Sequence, residues 1–336
     1  MQNSAVLLKV EGLKTHFSSK EGTLKVVDDS SFELKRGETL GIVGDSGCGK
    51  SITAQSILRL VPQGGKIVGG KILFNLHDRG FVDLVQLNPD GKEMRRIRGA
   101  EIAMIFQEPM TSFSPVHTIG SQIVEVVRLH QRLSRAAART MAVELLKKVG
   151  MPKPAEMIDA YPFNLSGGMR QRAMIAMALS CQPSLLIADE PTTAVDVTIQ
   201  AQVLKLVKDL QQELNMALII ITHDLAVIAE LADRVLIMLY LGKDVEHASV
   251  DEIFHNPLHP YTRGLLQSIP KLTADPDEKI MPMTGSLPSP YDLPKGCMFH
   301  RRCPQFMEGL CDKQEPPFEE VEKGHKVACF LYEQGA

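Results

Sequence analysis

The chain has 336 residues, of which 44% are hydrophobic, enough to bury a sizeable core in two or more domains. Its formal net charge is −3 and its pI is about 6.4, so no overall basic charge favours nucleic acid or anionic lipid as a partner. The N-terminus lacks a basic segment followed by a long apolar run, and no stretch has the roughly 18 uninterrupted apolar residues of a spanning helix. We therefore expect a soluble protein of a reducing compartment, where clustered cysteines are more often metal ligands than disulfides.

The first hundred residues predict strands and one strand–loop–helix unit. Residues 5–12 and 22–35 are short apolar alternations with polar connections, which predict strands. Residues 38–61 pass from an apolar strand through glycines into a helical pattern, the order that a phosphate site in an α/β fold requires. The polar stretch at 76–92 predicts an extended surface hairpin.

The middle of the chain continues the α/β pattern. "EIAMIFQ" (101–107) predicts a strand, and helical periodicity dominates residues 118–180. "SLLIADE" (184–190) and "ALIIITHD" (217–224) predict buried parallel strands separated by a helix. Residues 235–246 predict a late strand with a bulge.

A change of composition marks a predicted domain boundary. After about residue 255 proline becomes frequent, as in "HNPLHPYT" and "MPMTGSLPSPYDLPKG". We therefore predict an α/β nucleotide-binding domain at 1–255, with a helical subdomain at about 108–174. A proline-rich domain with four cysteines follows at 256–336.

Residues 44–51, "GDSGCGKS", have the pattern of a P-loop. Its glycines let backbone N–H groups turn inward around an anion, and the following helix presents its N-terminus to phosphate. Lys50 is expected to reach the β- and γ-phosphates, and the Ser51 hydroxyl to bind Mg²⁺. A chance glycine-rich turn is the alternative, which the flanking strand and helix disfavour, and Cys48 reads as a small spacer rather than a nucleophile. The predicted nucleotide-binding residues of this segment are Gly44, Ser46, Gly47, Cys48, Gly49, Lys50, Ser51 and Ile52.

The segment "LLIADEP" (185–191) supplies the second half of the predicted site. A buried apolar strand that ends in two carboxylates delivers charge to the carboxyl edge of a sheet, where ligands bind in open α/β folds. Asp189 is expected to belong to the Mg²⁺ shell, and Glu190 to polarise the attacking water. Alone this pattern is weak, but beside a P-loop it is specific.

The stretch "NLSGGMRQR" (164–172) brings a family resemblance. With the motifs above, residues 5–255 resemble the ATP-binding-cassette (ABC) ATPases, and Ser166, Gly167 and Gly168 match that family's signature motif. The resemblance implies that this helix N-terminus binds the γ-phosphate of ATP held by an opposite subunit. Taken by itself, the segment would be a serine N-cap followed by flexible glycines.

Four further positions take their roles from the resemblance. Gln107 matches the Q-loop glutamine, which contacts Mg²⁺ and the lytic water, and Asp196 matches the D-loop aspartate. His223 matches the switch histidine on the γ-phosphate, although a lone histidine at a strand end is more often structural. Phe17 lies where the family has an aromatic ring stacked on adenine, although a phenylalanine near a strand end is usually a core residue.

Within the family, the chain resembles the ATPase subunits of dipeptide, oligopeptide and nickel importers. The resemblance rests on "IFQEPMTSFSP" (105–115) with "SGGMRQR" (166–172), on "NPLHPYTRGLLQSIP" (256–270), and on the tail that "LPKGCMFHRRCP" (293–304) introduces. It implies a second, paralogous ATPase subunit, two transmembrane permease subunits and an extracytoplasmic solute-binding protein. It also implies a peripheral location on the cytoplasmic face of the cell membrane, and a dimer that ATP closes and hydrolysis resets.

Other functions stay open at this point. The same role could serve an importer of nickel, oligosaccharides or opines. A non-transport ABC ATPase is disfavoured for two reasons. About sixty residues separate the Q-loop from the signature, too few for the long coiled coil of DNA-repair members. Translation members carry two cassettes in one chain, whereas this chain carries one. A non-catalytic regulatory subunit is disfavoured by the intact Glu190 and His223.

Four of the six cysteines cluster near the end of the chain, at Cys297, Cys303, Cys311 and Cys329. Four thiolates suit zinc or an iron–sulfur cluster, and chemistry alone does not choose between them. The resemblance of the tail implies a 4Fe–4S cluster, which would cross-link a segment poor in core residues, although redox sensing stays open. The reducing compartment disfavours a disulfide framework, and the clustering disfavours four unrelated buried thiols. We expect His300 and His325 to be solvated surface residues rather than substitute ligands.

Overall fold

The computed structural model describes residues 5–107, 112–192, 197–268, 289, 291 and 293–333, with the backbone alone at 197–199. The chain divides into two units. The first comprises Met1–Leu8, Leu34–Thr39 and Phe74–Ile221, and the second comprises Lys9–Glu33, Leu40–Leu73 and Thr222–Ala336. The predicted D-loop residue Asp196 lies outside the described residues.

Strands and helices alternate along the chain, which confirms the α/β prediction. The described strands are β1 Val6–Ser19, β2 Gly22–Lys35, β3 Thr39–Val43, β4 Gly65–Leu76, β5 Gly80–Asp83, β6 Ile102–Ile105, β7 Leu185–Asp189, β8 Ala217–Ile221, β9 Arg234–Leu239, β10 Lys243–Ser249, β11 Glu319–Glu322 and β12 His325–Val327. The described α-helices are α1 Lys50–Ile57, α2 Lys92–Ala100, α3 Ile119–Gln131, α4 Arg135–Lys148, α5 Pro154–Met157, α6 Gly167–Ala178, α7 Val197–Leu214, α8 Leu225–Leu231, α9 Val250–His255 and α10 Pro260–Gln267. No helix in these described ranges is long and apolar enough to cross a bilayer.

Three parallel strands form the centre of the first unit. β7 lies between β6 and β8, with Ile105 opposite Ala188 and Asp189 opposite Ile221. Every residue of β7 and β8 is buried, as the uninterrupted apolar runs of the sequence predict. Because parallel strands end at a common edge, β6 and β7 deliver Gln107 and Asp189 to the same side of this sheet.

Helices follow these strands where the sequence predicts helical periodicity. Thr118 and Ser134 cap α3 and α4 by accepting hydrogen bonds from the Ser121 and Ala137 N–H groups. Each helix buries one stripe at a spacing of four residues, as an amphipathic helix does on a core. The stripes are Ile119, Ile123 and Val127 in α3, and Ala138, Ala142 and Leu146 in α4.

The second unit contains a mixed sheet in the order β3, β9, β10, β12, β11. β3 and β9 are parallel, and β10 returns antiparallel to β9 with a register shift between Asp244 and Glu246, which confirms the predicted bulge. β12 pairs antiparallel with β10, and β11 pairs with β12 as a hairpin. The end of the chain therefore extends the same sheet that begins with β3. The predicted boundary at residue 255 and the bounds of the helical subdomain stay predictions.

Candidate active site and cysteine cluster

The predicted P-loop lies between β3 and α1 in the second unit. α1 begins at Lys50, and its N-cap Gly49 has φ 112°, a left-handed conformation that favours glycine. A Cβ on Gly49 would lie 2.4 Å from the Val26 carbonyl oxygen, and one on Gly44 would lie 2.0 Å from the Met238 carbonyl oxygen. Backbone conformation and packing thus require two of the predicted glycines.

Lys50 and Cys48 are buried within this loop. The Lys50 ammonium donates hydrogen bonds to the carbonyl oxygens of Gly44 (2.8 Å) and Asp45 (2.9 Å). It therefore places a positive charge at the loop that precedes a helix N-terminus, the arrangement that binds phosphate. Burial raises the pKa of the Cys48 thiol, so the side chain packs as a neutral spacer.

Two residues near the end of the chain contact the P-loop, and sequence reasoning missed both. The Asp45 N–H donates to the Tyr261 hydroxyl oxygen at 3.0 Å, and Tyr261, in α10, is fully buried. Arg302 Nη1 lies 3.5 Å from Asp45 Oδ2. No short sequence pattern predicts these contacts, because at least 216 residues separate the partners along the chain.

Phe17 and His223 also belong to the second unit. The Phe17 side chain is half-buried, and its ring packs so close to Gly65 that a Cβ there would lie 2.6 Å from Phe17 Cζ. Phe17 is therefore not a core residue, and its ring retains an accessible surface. His223 follows β8 and is exposed, immediately before Asp224, whose side chain caps α8.

The first unit holds the predicted catalytic carboxylates. Asp189 ends β7 and is almost fully buried, whereas Glu190 adopts φ 45°, a strained conformation for a residue with a side chain. The Glu190 N–H donates to the Ile221 carbonyl oxygen at 2.8 Å, which fixes that conformation. Gln107 Nε2 donates to Glu190 Oε2 at 2.9 Å, so the structure brings these two predicted site residues together.

The predicted signature residues begin α6 in the same unit. The Ser166 hydroxyl accepts a hydrogen bond from the Met169 N–H at 3.4 Å and caps the helix. Ser166 is exposed, and a Cβ on Gly167 would meet no atom within 4 Å. This helix N-terminus is therefore open, as an anion site shared with another subunit requires. Gln171 anchors α6 by donating to the Pro191 carbonyl oxygen, next to Glu190.

The four clustered cysteines lie close together in the second unit. The Cys297 N–H donates to the Cys311 carbonyl oxygen at 2.8 Å, and Cys311 is buried. Burial, and then the neighbouring thiols of the cluster, raises the pKa of Cys297 to about 12 and that of Cys329 to about 11. The thiol of Cys303 is shifted in the same direction for the same reasons, burial and the charge of Cys311. Such thiols need a metal ion to become thiolates near neutral pH.

The two histidines of the tail differ from each other. His300 is half-buried, and its Nδ1 lies 2.8 Å from the Cys297 carbonyl oxygen. His325 is only 1% exposed, and its Nε2 lies 2.8 Å from Glu246 Oε1. The expectation that His325 is a solvated surface residue is wrong, because β12 inserts it beside a buried carboxylate of β10.

Comparison with known proteins places this geometry in a family. The family model described as ABC transporter matches residues 27–193, and the one described as Oligopeptide/dipeptide transporter, C-terminal region matches residues 245–311. The chain is 50% identical over 331 residues to the oligopeptide transport ATP-binding protein AppD of Bacillus subtilis, covering 98% of each chain. It is 45% identical over 323 residues to the dipeptide transport ATP-binding protein DppD of Escherichia coli, covering 96% of each.

Solved structures agree on the nucleotide-binding part. The ATP-binding cassette MJ0796, in a dimeric post-hydrolysis state bound to ADP and Pi, matches with a TM-score of 0.63 and 25% identity. The match covers 73% of this chain and 99% of that one. The chain is therefore an ABC ATPase, and it belongs to the ATP-binding subunits of the oligopeptide/dipeptide transporter family.

Proposed function

We propose that this chain is the ATP-hydrolysing, energy-coupling subunit of an importer of dipeptides or oligopeptides. The observation that carries the proposal is the Gln107–Glu190 pair, in a chain that also has a complete P-loop. Relatives named as dipeptide and oligopeptide transport ATP-binding proteins align over nearly the whole chain, including the C-terminal region that bears this family's name. A solute other than peptide is the alternative that the family leaves.

The proposed hydrolysis gives each predicted site residue the role that the family resemblance implies. The P-loop N–H groups and Lys50 bind the ATP phosphates, and Phe17 stacks on adenine. Ser51, Asp189 and Gln107 would hold Mg²⁺, which would supply positive charge against the phosphate oxygens. Glu190 accepts a proton from the attacking water, while the Gln107 amide keeps its carboxylate in place and His223 contacts the γ-phosphate.

A second subunit completes the proposed site. The open N-terminus of α6, at Ser166, Gly167 and Gly168, binds the γ-phosphate of ATP held on the partner's P-loop. Asp196 contributes at the same dimer contact. One cassette per chain makes such a partner necessary, and the family favours a paralogue.

The proposed docking surface for the permease subunits lies on the helices of the first unit. A cleft of about 620 Å³ lies along α3 and α4, lined by both apolar and charged side chains. Leu129, on its α3 wall, is 72% exposed and offers an apolar contact to a partner. A short helix from a membrane subunit would bury it, which would hold this chain at the cytoplasmic face of the membrane. An extracytoplasmic binding protein would deliver the solute.

The four tail cysteines are proposed to bind a 4Fe–4S cluster. Around one zinc ion at about 2.3 Å, four sulfurs would lie roughly 3.8 Å apart. Among the described residues, the one group of ligand atoms that all lie within 4.8 Å of one another contains no cysteine. Cys297 and Cys311 are in backbone contact, since the Cys297 N–H donates to the Cys311 carbonyl oxygen at 2.8 Å. Four cysteine thiolates are the ligand set of a 4Fe–4S cluster.

Two experiments test these assignments separately. For catalysis, the transporter is assembled with Glu190→Gln, and ATP turnover and uptake of labelled dipeptide, tripeptide and nickel are measured. We expect turnover to fall about 100-fold or more while ATP still binds, with Glu144→Gln, an exposed glutamate of α4, as the matched control. Unchanged turnover in Glu190→Gln would refute the catalytic role, and uptake of nickel but not peptide would refute the substrate.

For the tail, iron, acid-labile sulfide and zinc are measured on protein purified without oxygen. Near four irons and four sulfides per chain are expected, and Cys303→Ser should lose them. Cys181→Ser, which alters a half-buried thiol of the first unit, is the matched control and should retain the cluster. One zinc and no iron would refute the cluster.

A further inference from the structure

Glu246 and His325 form a buried pair whose geometry fixes where the imidazole proton lies. Glu246 is 0% exposed, and its two oxygens accept the backbone N–H groups of Leu258 (2.6 Å) and His259 (3.0 Å). His325 Nε2 lies 2.8 Å from Glu246 Oε1. Because an ionised carboxylate only accepts, Nε2 must carry the hydrogen and donate it.

The other ring nitrogen, His325 Nδ1, is buried and has no hydrogen-bond partner. Glu252 Oε2 is 3.9 Å away, too far for a hydrogen bond. Ligand atoms of Glu252, Glu322 and His325 all lie within 4.8 Å of one another. A buried nitrogen without a partner is costly, and two carboxylates beside each other repel, so this arrangement calls for a cation between them.

The chain builds this cluster from three elements. Glu322 and His325 are cross-strand partners that flank the turn of the β11–β12 hairpin, where Gly324 has φ 80°. Glu252 lies in the first turn of α9, and Asn256 Nδ2 donates to its Oε2 at 3.3 Å. The Glu252 side chain is 46% exposed and Glu322 is exposed, so both carboxylates can move towards an ion while the imidazole stays fixed.

We propose that His325 Nδ1, Glu252 and Glu322 bind a divalent transition-metal ion, with zinc as the best match. One imidazole nitrogen and two carboxylate oxygens are zinc ligands, and an open fourth position suits water. Calcium and magnesium prefer oxygen ligands alone. Glu246, held by two backbone N–H groups, supplies the carboxylate that orients a metal-binding histidine from its far side.

The proposed ion would fasten the β11–β12 hairpin to α9. Bound donors around zinc lie about 3.3 Å apart, so the carboxylates would close by roughly an ångström. Cys329 lies two residues after the end of β12, so the ion would also fix the strand that leads to the fourth cysteine. The site is separate from the cysteine cluster, because its ligands contain no sulfur.

The test uses the full chain, purified without oxygen so that the cysteine site keeps its own metal. Cobalt(II) and zinc(II) are titrated into the wild type, the double variant Glu252→Gln/Glu322→Gln, and the matched control Glu319→Gln, an exposed glutamate of the same strand β11. We expect one equivalent of cobalt in the wild type and the control, with weak visible bands and no sulfur-to-metal charge-transfer band. The double variant should bind it at least about tenfold more weakly, since even outer-shell changes usually cost 10–100-fold.

Thermal unfolding provides the second readout. Zinc should raise the thermal unfolding midpoint of the wild type and of Glu319→Gln, because an ion that binds only the folded state stabilises it. It should not raise the midpoint of the double variant, which lacks both carboxylate ligands. The double variant should still fold, because both substituted side chains are solvent-accessible. Equal cobalt binding in all three proteins would overturn the proposal. So would cobalt that appears only with a sulfur charge-transfer band, or no bound cobalt at all.

Discussion

The Tyr261 hydroxyl connects the C-terminal part of the chain to the P-loop, and Tyr261→Phe tests whether this connection matters for ATP. The substitution removes one oxygen that accepts the Asp45 N–H at 3.0 Å and leaves the buried ring in place. Burial and the nearby Asp45 charge raise the pKa of the Tyr261 phenol, so the group remains neutral at any working pH. The perturbation is therefore the loss of one hydrogen bond to the backbone of the loop.

Its magnitude follows from the partner that is left behind. An N–H group that loses its acceptor costs about 1–3 kcal/mol, and the lower end applies because Asp45 is only partly buried and can bond to water. If the bond holds the loop in the shape that binds phosphate, about 1 kcal/mol corresponds to roughly fivefold weaker ATP binding. We expect that shift in the dissociation constant, with little change in the turnover of bound ATP.

Fluorescent-nucleotide titration of the purified chain measures the effect. Tyr332→Phe is the matched control, because the Tyr332 hydroxyl bonds to Arg263 (2.7 Å) and to the Leu258 carbonyl oxygen (3.0 Å) rather than to the P-loop. It should change stability but not ATP affinity. A Tyr261→Phe variant that unfolds more easily but binds ATP like the wild type would refute the reasoning.

Three further predictions concern the Gln107–Glu190 hydrogen bond, the glycines of the P-loop and Asp244. Gln107→Ala removes a charge-assisted hydrogen bond to Glu190 that is worth about 1.5–3 kcal/mol. ATP turnover by the assembled transporter should therefore fall about 10- to 100-fold, while ATP affinity is retained. Unchanged turnover would contradict this prediction. Gly49→Ala puts a Cβ 2.4 Å from a carbonyl oxygen in a residue with φ 112°, so it should lower the thermal unfolding midpoint. A Cβ on Gly47 (φ 76°) meets no atom within 4 Å, so Gly47→Ala should lower the midpoint less. Burial raises the pKa of Asp244 to about 7, above its unfolded value near 4, so the folded state keeps this proton to higher pH. The free energy of unfolding should therefore fall as pH rises from about 4 to 7. Asp244→Asn should flatten this pH dependence in denaturant unfolding, and an unaltered dependence would contradict the prediction.

The strands and helices that carry the ATP motifs could be predicted because their signals are local. β7 and β8 are uninterrupted apolar runs, and Ser134 is a serine N-cap immediately before α4. The sequence pattern and the structure therefore agree in these three elements. The bulge in β10 could be predicted only by comparison with the resembled family, against which residues 235–246 carry one extra residue.

The end of the chain could not be predicted in this way. β11 and β12 have four and three residues, too few for a periodicity, and they form because β10 offers an edge. The burial of His325 depends on Glu246, which lies 79 residues earlier, and no spacing rule connects the two. Contacts at such separations are decided by the packing of the whole unit, which one sequence does not display.

The cysteine cluster and the P-loop lie at the two ends of a short chain of contacts within the second unit. Phe299, two residues after Cys297, packs its ring against that of Tyr261 with centroids 5.5 Å apart. Arg302, which precedes Cys303, lies 3.5 Å from the Asp45 carboxylate. If the cysteines bind the proposed metal, the metal would therefore also fix two side chains that contact Asp45.

On the proposed metal site, losing the metal should weaken ATP binding through Tyr261 and Arg302, the two side chains that contact Asp45. We expect Cys303→Ser to raise the dissociation constant of ATP several-fold, and the double variant with Tyr261→Phe to be weakened by less than the product of the two single effects, since coupled residues are not additive. The Cys181→Ser variant should bind ATP like the wild type. Fully multiplicative effects would mean that the cluster and the P-loop are independent, and that the cysteines stabilise the C-terminal segment alone.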